Sequence, residues 1–132
     1  MRDLARVILA FLCFGTADGI CLAREEAAII RSDFPGGNIL VTKNSAATVE
    51  MEPDLRGDRP WFYWYFEAEA IRPGPVRFVF PEKVIGFKNG AIGFQGPAFS
   101  ADRGLNWNWM GTQNVDGNAF TYDFAMAGDR IQ

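Results

Sequence analysis

The sequence predicts an all-β protein: an antiparallel, jelly-roll-like β-sandwich preceded by a helical signal peptide. Aromatic residues and turn formers are both abundant, with twelve Phe, four Trp, three Tyr, fourteen Gly and seven Pro in 132 residues. This mixture is typical of short strands joined by turns. Several segments alternate apolar and polar residues with a period of two, as half-buried strands do. After the leader, no segment has the periodicity of a helix longer than about two turns.

Length and composition indicate one folded domain and exclude several functions. The chain is 48% hydrophobic and 22% charged, so it can bury a core without disulfides or a metal. Its net charge of −3 and its scattered Lys and Arg argue against binding nucleic acid. The chain contains no His, which excludes Ser-His-Asp and Cys-His catalysis and any zinc site that uses imidazole. We therefore expect no catalytic residue, metal or cofactor.

Residues 1–23 have the features of a signal peptide. Arg2 and Arg6 give the leader a positive charge, and residues 7–14 form an apolar run. This run is too short to cross a bilayer, which takes about 20 apolar residues. Small residues follow, and Ala23 is the expected last residue before cleavage. The prediction is a secreted or periplasmic domain, residues 24–132, that is not attached to a membrane after cleavage.

Two alternatives stay open for this leader. It could be a buried N-terminal helix instead of a signal peptide, and cleavage could follow Ala17. Both cysteines, Cys13 and Cys21, lie inside the leader. Cleavage after Ala23 would leave a mature chain that forms no disulfide, so its stability would come from core packing.

The first half of the mature domain contains three predicted strands. They cover residues 28–34, 38–43 and 47–52, with a tight turn at 44–46. Ile39 and Val41, and then Val49 and Met51, alternate with polar neighbours. The polar, Pro- and Gly-containing residues 53–60 indicate a loop.

An aromatic run follows at residues 61–68. In a strand, Trp61, Tyr63 and Tyr65 would share one face, and the intervening aromatic residues would share the other. We therefore expect a central strand covered on both faces. The remaining predicted strands cover residues 76–80, 91–95, 97–100, 106–110 and 120–125.

Residues 100–107 match the pattern S-x-D-x-G-x-x-W of the Asp-box hairpin, found in sialidases and other secreted β-proteins. Ser100, Asp102, Gly104 and Trp107 are the residues of this turn motif. Asp102 can accept hydrogen bonds from backbone amides, and Gly104 can adopt a positive φ. Trp107 can pack back on the next strand. The motif is interpreted as a folding unit that does not contact substrate, and one copy does not make a repeat fold.

Six acidic residues are candidates for a site: Glu50, Glu52, Asp54, Asp58, Glu67 and Glu69. A carboxylate pair across a cleft could hydrolyse glycosides. Acids that alternate along a strand are more often its solvent-facing row, and this interpretation is favoured. Asp54 and Asp58 could bind calcium, but their spacing fits no calcium-loop motif.

The tryptophans Trp61, Trp64, Trp107 and Trp109 are the candidate interaction residues. Exposed, they could stack on sugar rings or anchor a protein partner. Core packing is the favoured alternative. Trp107 and Trp109 would share one face of a strand, so they would form either a common surface patch or a common core layer.

Segments 33–38, 53–56 and 61–66 occur in an order that resembles a known family. They are similar to the N-terminal β-sandwich domain that precedes the catalytic domain of cytosolic-type M14 zinc carboxypeptidases and their bacterial relatives. Segment 96–104 with Trp107, and segment 120–124, resemble the bacterial version. The resemblance extends from Asp33 to Ala125.

The resemblance implies an accessory domain that packs against a peptidase domain, helps it fold and shapes substrate access. The zinc ligands of that family, an H-x-x-E pair and a later His, have no counterpart here. The domain would also lack its last strand, as in a truncated product or a stand-alone relic, and would expose a sheet edge to a partner. The alternatives are a secreted carbohydrate-binding module and an enzyme that uses carboxylates alone. We expect mostly buried Trp for the accessory domain and at least two coplanar exposed aromatics for the carbohydrate-binding module.

Overall fold

A computed structural model describes residues 25–53, 55–56, 59–60, 63–81 and 92–132. The leader, and with it the predicted signal peptide, lies outside these residues. So do three residues that the sequence singled out: Asp54, Asp58 and Trp61.

The described residues form β-strands and one short 3-10 helix, with no α-helix among them. The all-β part of the prediction is thereby confirmed. In chain order the strands are β1 Ala28–Arg31, β2 Leu40–Ser45, β3 Thr48–Glu52, β4 Leu55–Arg56, β5 Arg59–Pro60, β6 Glu67–Ala70, β7 Gly74–Val79, β8 Ala98–Phe99, β9 Asn108–Trp109, β10 Val115–Asp116, β11 Ala119–Phe124 and β12 Arg130–Ile131. The 3-10 helix is Thr112–Asn114.

These strands build a five-stranded sheet of order β10-β11-β7-β3-β2 and a three-stranded sheet of order β1-β6-β12. Two small hairpins, β4-β5 and β8-β9, complete the set. The larger sheet is mixed, because β3 runs parallel to β7, with Val49 opposite Phe78. The purely antiparallel arrangement predicted from the sequence is wrong at this pair. Between β3 and β7 the chain passes through β6 in the other sheet, and such a crossover lets it return in a parallel direction.

One hydrophobic core contains residues from both larger sheets. On β7, Val76 and Phe78 are buried while Arg77 is not, which is the predicted period-two pattern. Val49 and Met51 of β3 follow the same rule. The core also includes Phe120 and Phe124 of β11, Ala68 and Ala70 of β6, and Ile131 of β12.

Of the predicted strand at 61–68, only Glu67 and Ala68 lie in a strand among the described residues; residues 63–66 do not. Only Tyr65 forms a bridge, an antiparallel one with Asn38, and the strand β6 starts at Glu67. The buried side chains of β6 are the small residues Ala68 and Ala70, which leave room for the aromatic rings of the core. Tyr63 is exposed, so the prediction that both faces of the run are covered is also wrong.

The β2–β3 turn begins two residues later than predicted, at Ala46 and Ala47 instead of residues 44–46. The Asn44 side chain explains the shift. Its Oδ1 accepts from the backbone N–H of Ala27 at 2.8 Å, and its Nδ2 donates to the carbonyl of Ala28 at 2.7 Å. Asn44 therefore ties β2 to the start of β1 instead of forming the turn.

Other differences are small. Val41 lies opposite the buried Met51 of β3 but is itself 42% exposed, because β2 is the edge strand of its sheet. A bulge follows between Val41 and Lys43. Residues 92–95, expected in a strand, form turns, and the predicted loop 53–60 contains the hairpin β4-β5. The two-residue strands β10 and β12 were missed, because two residues show no periodicity.

Candidate functional site

The described residues form an open groove that is lined mainly by aromatic side chains. Its cavity volume is about 470 Å³. We call it the aromatic groove. None of its described lining residues has a charged side chain. They are residues 63–66, 97–99, 107, 109–110, 120 and 131–132.

One wall of the groove is the hairpin β8-β9. Ala98 lies opposite Trp109 in its ladder, and the Met110 N–H donates to the carbonyl of Pro97 at 2.9 Å. This pairing presents Trp107 and Trp109 at the surface, with 48% and 64% of their area exposed. The sequence favoured core packing for these two tryptophans. In the structure they instead form a shared surface patch.

The opposite wall is the segment 63–66. The Tyr63 hydroxyl donates to the carbonyl of Gly36 at 2.9 Å, and Asn38 Nδ2 donates to the carbonyl of Tyr63 at 2.7 Å. The Tyr65 ring packs edge-on against Phe34, with centroids 5.1 Å apart. The Pro-Gly-Gly turn before β2 thus holds this wall in place.

Trp64 joins the groove to the core. Its ring stacks on Phe120 at a centroid distance of 6.0 Å and lies 4.8 Å from Phe80. The partly buried Trp64 packs against the core cluster, as the core interpretation predicts. The groove therefore brings together Trp64, Trp107 and Trp109, while Trp61 lies outside the described residues.

The turn between β8 and β9 contains the Asp-box residues. The Ser100 hydroxyl donates to Asp102 Oδ1 at 2.8 Å and accepts from the Gly104 N–H at 2.8 Å. Asp102 also accepts from Asn106 twice, from the backbone N–H at 2.8 Å and from Nδ2 at 2.6 Å. Gly104 has a φ of 82°, and its carbonyl accepts from Trp107 Nε1 at 3.1 Å. The loop is thus fixed by side-chain hydrogen bonds.

These hydrogen bonds lower the pKa of Asp102 from 3.8 to about 2. The side-chain amide of Asn106 is the largest cause, followed by the Asn106 backbone N–H and the Ser100 hydroxyl. Each donor stabilises the charged form. Such a carboxylate is a poor proton acceptor at neutral pH, so its chemistry suits a turn rather than a general base.

The described acids that the sequence singled out lie outside the groove, on sheet surfaces. Glu69 pairs with Arg31 at 2.8 Å and with Arg130 at 2.9 Å, and the hydrogen bond from Arg31 is the main cause that lowers its pKa. Glu67 pairs with Arg31 at 3.0 Å, and Glu50 with Lys43 at 3.0 Å. Among the described residues there is no group of three or more side chains that could hold a metal ion.

Sequence reasoning missed part of the groove. Tyr63 and Tyr65 were assigned to a buried strand, and Phe99 was not singled out. The signal that could have found them is the excess of aromatic residues in segments that also carry many turn formers.

Comparisons of the chain with protein-family models, with curated proteins and with solved structures found no match. The resemblance to the M14 accessory domain therefore depends on the sequence segments alone. In the described part of the chain, no helix has the length and apolar character needed to cross a membrane.

Proposed function

We propose that the protein is a non-catalytic accessory domain that binds a protein partner through the aromatic groove. The observation that carries this proposal is the exposure of Trp107, Trp109 and Tyr63 in one groove, with no charged side chain among its described lining residues. Contiguous exposed apolar surface marks interaction sites. Trp and Tyr are also the residues most often found at the energetic centre of protein interfaces.

The partner that fits the sequence resemblance is an M14-type peptidase domain. The expectation for an accessory domain was mostly buried Trp, and the exposure of Trp107 and Trp109 departs from it. A peptidase domain seated on the groove would cover both rings and remove the disagreement. Export to the periplasm or the medium is part of the proposal and is supported by the leader sequence.

We also propose that the five-stranded and the three-stranded sheets pack face to face as a β-sandwich. Its support is the single core cluster, in which Met51 and Phe78 of one sheet accompany Ala68 and Ile131 of the other. Packing two sheets over one apolar layer is the usual way for antiparallel sheets to bury their inner faces.

The groove is a better docking surface than a sheet edge. Beside β12, Ser100 and Gln132 exchange two backbone hydrogen bonds, at 3.0 and 2.9 Å, and so occupy part of that edge. In the five-stranded sheet, the edge strand β2 has a bulge next to Lys43. Bulges and lysines are features that prevent pairing with another strand.

A carbohydrate-binding module is the second candidate, favoured by the exposed rings of Trp107 and Trp109. Sugar sites combine an aromatic platform with polar groups that pair with hydroxyls. The Tyr65 and Trp107 rings are inclined by 53°, so this pair does not form a flat platform. The uncharged lining also offers little to sugar hydroxyls, and a protein partner is therefore preferred.

The test is calorimetric titration of the full chain with the isolated peptidase domain of a bacterial M14 carboxypeptidase. We expect saturable binding that Trp109→Ala weakens about 30-fold, the equivalent of about 2 kcal/mol for a residue at the centre of an interface. Phe94→Ala is the matched control, because Phe94 is 84% exposed and does not line the groove.

Two outcomes would overturn the proposal. One is the absence of binding to the peptidase domain, and the other is an equal loss for Phe94→Ala and Trp109→Ala. Retention of the full chain on cellulose or chitin, abolished by Trp109→Ala, would replace the proposal with the carbohydrate-binding module.

A further inference from the structure

We propose that Asp102 is a positioning residue for the aromatic groove: its turn holds Trp107 in the orientation that binding uses. The consequence for binding rests on the proposed function, whereas the consequence for Trp107 itself does not. The turn would thus serve recognition as well as folding.

Packing alone does little to hold Trp107. Nearly half of the side chain is exposed, and its aromatic neighbour Tyr65 lies 6.2 Å away between ring centroids. Rings with so few buried contacts change rotamer readily. An additional constraint is therefore needed to keep this indole in the groove wall.

The turn supplies that constraint at two points. Asp102 accepts from the backbone N–H and from Nδ2 of Asn106, which fixes the residue directly before Trp107. The Trp107 indole N–H donates to the carbonyl of Gly104, inside the same turn. Both the backbone and the ring of Trp107 thus depend on the conformation that Asp102 maintains.

Ser100 attaches this turn to residues that line the groove. Ser100, 1% exposed, accepts from the backbone N–H groups of Asp102 and Gly104 through its hydroxyl. Its own backbone N–H donates to the carbonyl of Gln132, and its carbonyl accepts from the Gln132 N–H. Ile131 and Gln132 both line the groove. The position of the turn relative to the groove is therefore defined by the two backbone hydrogen bonds between Ser100 and Gln132.

Trp109 provides an internal comparison. It lies in the β8-β9 ladder opposite Ala98, and no hydrogen bond of the turn reaches it. Loss of the Asp102 interactions should therefore loosen Trp107 and leave Trp109 in place. Ordering one side chain before binding removes part of the entropy cost, which corresponds to an affinity change of about three- to tenfold.

The first measurement is the hydrogen-exchange rate of each indole N–H by NMR in the full chain. Asp102→Asn keeps the size of the side chain but turns one acceptor oxygen into a donor that faces Asn106 Nδ2. We expect the Trp107 indole to exchange about tenfold faster, because its local opening becomes easier, with Trp64 and Trp109 unchanged. Asn106→Ala should raise the exchange rate of the Trp107 indole N–H by a smaller factor, because the backbone N–H of residue 106 still donates to Asp102.

Asp116→Asn is the control, because it makes the same exchange at an acid outside the turn, whose carboxylate accepts from Arg77 at 2.8 Å. It should leave the Trp107 exchange rate unchanged. If Asp102→Asn fails to fold, Asn106→Ala alone tests the proposal. Unchanged Trp107 exchange in the folded variants overturns it, as does equal loosening of Trp107 and Trp109, which would indicate a purely structural turn.

The second measurement is the affinity for the isolated M14 peptidase domain. Asp102→Asn should weaken binding about three- to tenfold in the presence of Trp107 and have no further effect in a Trp107→Ala background. An equal loss in both backgrounds overturns the positioning role. If Trp107 loosens but no variant binds the peptidase domain, the positioning role is supported and the proposed function fails.

Discussion

Asp102 is the residue whose charge the structure stabilises most clearly. Its pKa in the folded protein is about 2 instead of 3.8. Because the folded-state value is the lower one, the charged turn contributes its full stabilisation above about pH 4 and loses it as the pH falls through about 2. Asn106 makes the largest contribution. We therefore expect Asn106→Ala to raise the pKa of Asp102, measured by NMR titration of its carboxyl carbon.

The control for this titration is Asn114→Ala. Asn114 also uses its side-chain amide, donating to the carbonyl of Met110 at 2.8 Å, but it makes no hydrogen bond to Asp102. This variant should titrate as the unmodified chain does. An unchanged Asp102 titration in Asn106→Ala would contradict the assigned cause.

At the scale of elements, the packing of the β8-β9 hairpin depends on Gly96. It has a φ of 74°, and a Cβ there would lie 2.8 Å from Val115 Cγ2 and 2.9 Å from Met110 Cβ. We expect Gly96→Ala to lower the free energy of unfolding by more than about 2 kcal/mol, because a steric clash adds to a backbone cost of about 1–2 kcal/mol. Chemical denaturation measures it.

Gly93→Ala separates the two causes. Gly93 has a similar φ of 68°, but a Cβ there would meet no atom within 4 Å. Gly93→Ala should lower the free energy of unfolding by about 1–2 kcal/mol, which is the cost of the backbone conformation alone. Equal losses for the two variants would show that the clash contributes nothing.

The strands that the sequence predicted well are those with one buried face. On β7, buried Val76 and Phe78 alternate with half-buried Arg77, so local pattern and tertiary burial agree. The segment 63–66 was predicted wrongly because an all-aromatic run has no polar residue to indicate which face is exposed. Its path depends on distant partners such as Gly36 and Asn38, which no local pattern contains.

At the scale of the whole molecule, the aromatic groove was only half predictable. The sequence supplied the surplus of Trp and Tyr and the residues of the Asp-box turn. It could not show that the rings of Trp107 and Tyr65 lie 6.2 Å apart in one groove. That proximity depends on pairings between distant parts of the chain, such as Ser100 with Gln132 and Asn38 with Tyr65. Pairings of this kind are set by tertiary packing and leave little local trace.

The shared core predicts that the two larger sheets unfold together, as one cooperative unit. Phe78 of β7 has 0% exposure, stacks on Phe120 at a centroid distance of 4.9 Å and packs at a tilt against Phe66 at 5.6 Å. Phe66 directly precedes β6 of the three-stranded sheet, so one ring bridges the two sheets. We expect Phe78→Ala to cost about 3–5 kcal/mol in urea denaturation. The loss should appear in a single transition, because both sheets share the cavity that the substitution leaves.

Phe94→Ala removes the same ring from an exposed position and should change the free energy of unfolding by less than about 0.5 kcal/mol. The difference between the two variants therefore measures burial rather than the intrinsic effect of losing a phenyl group. Tryptophan fluorescence and far-ultraviolet circular dichroism should report the same midpoint for Phe78→Ala. Two separated midpoints would mean that the sheets unfold independently, which a core shared through Phe66, Phe78 and Phe120 does not allow.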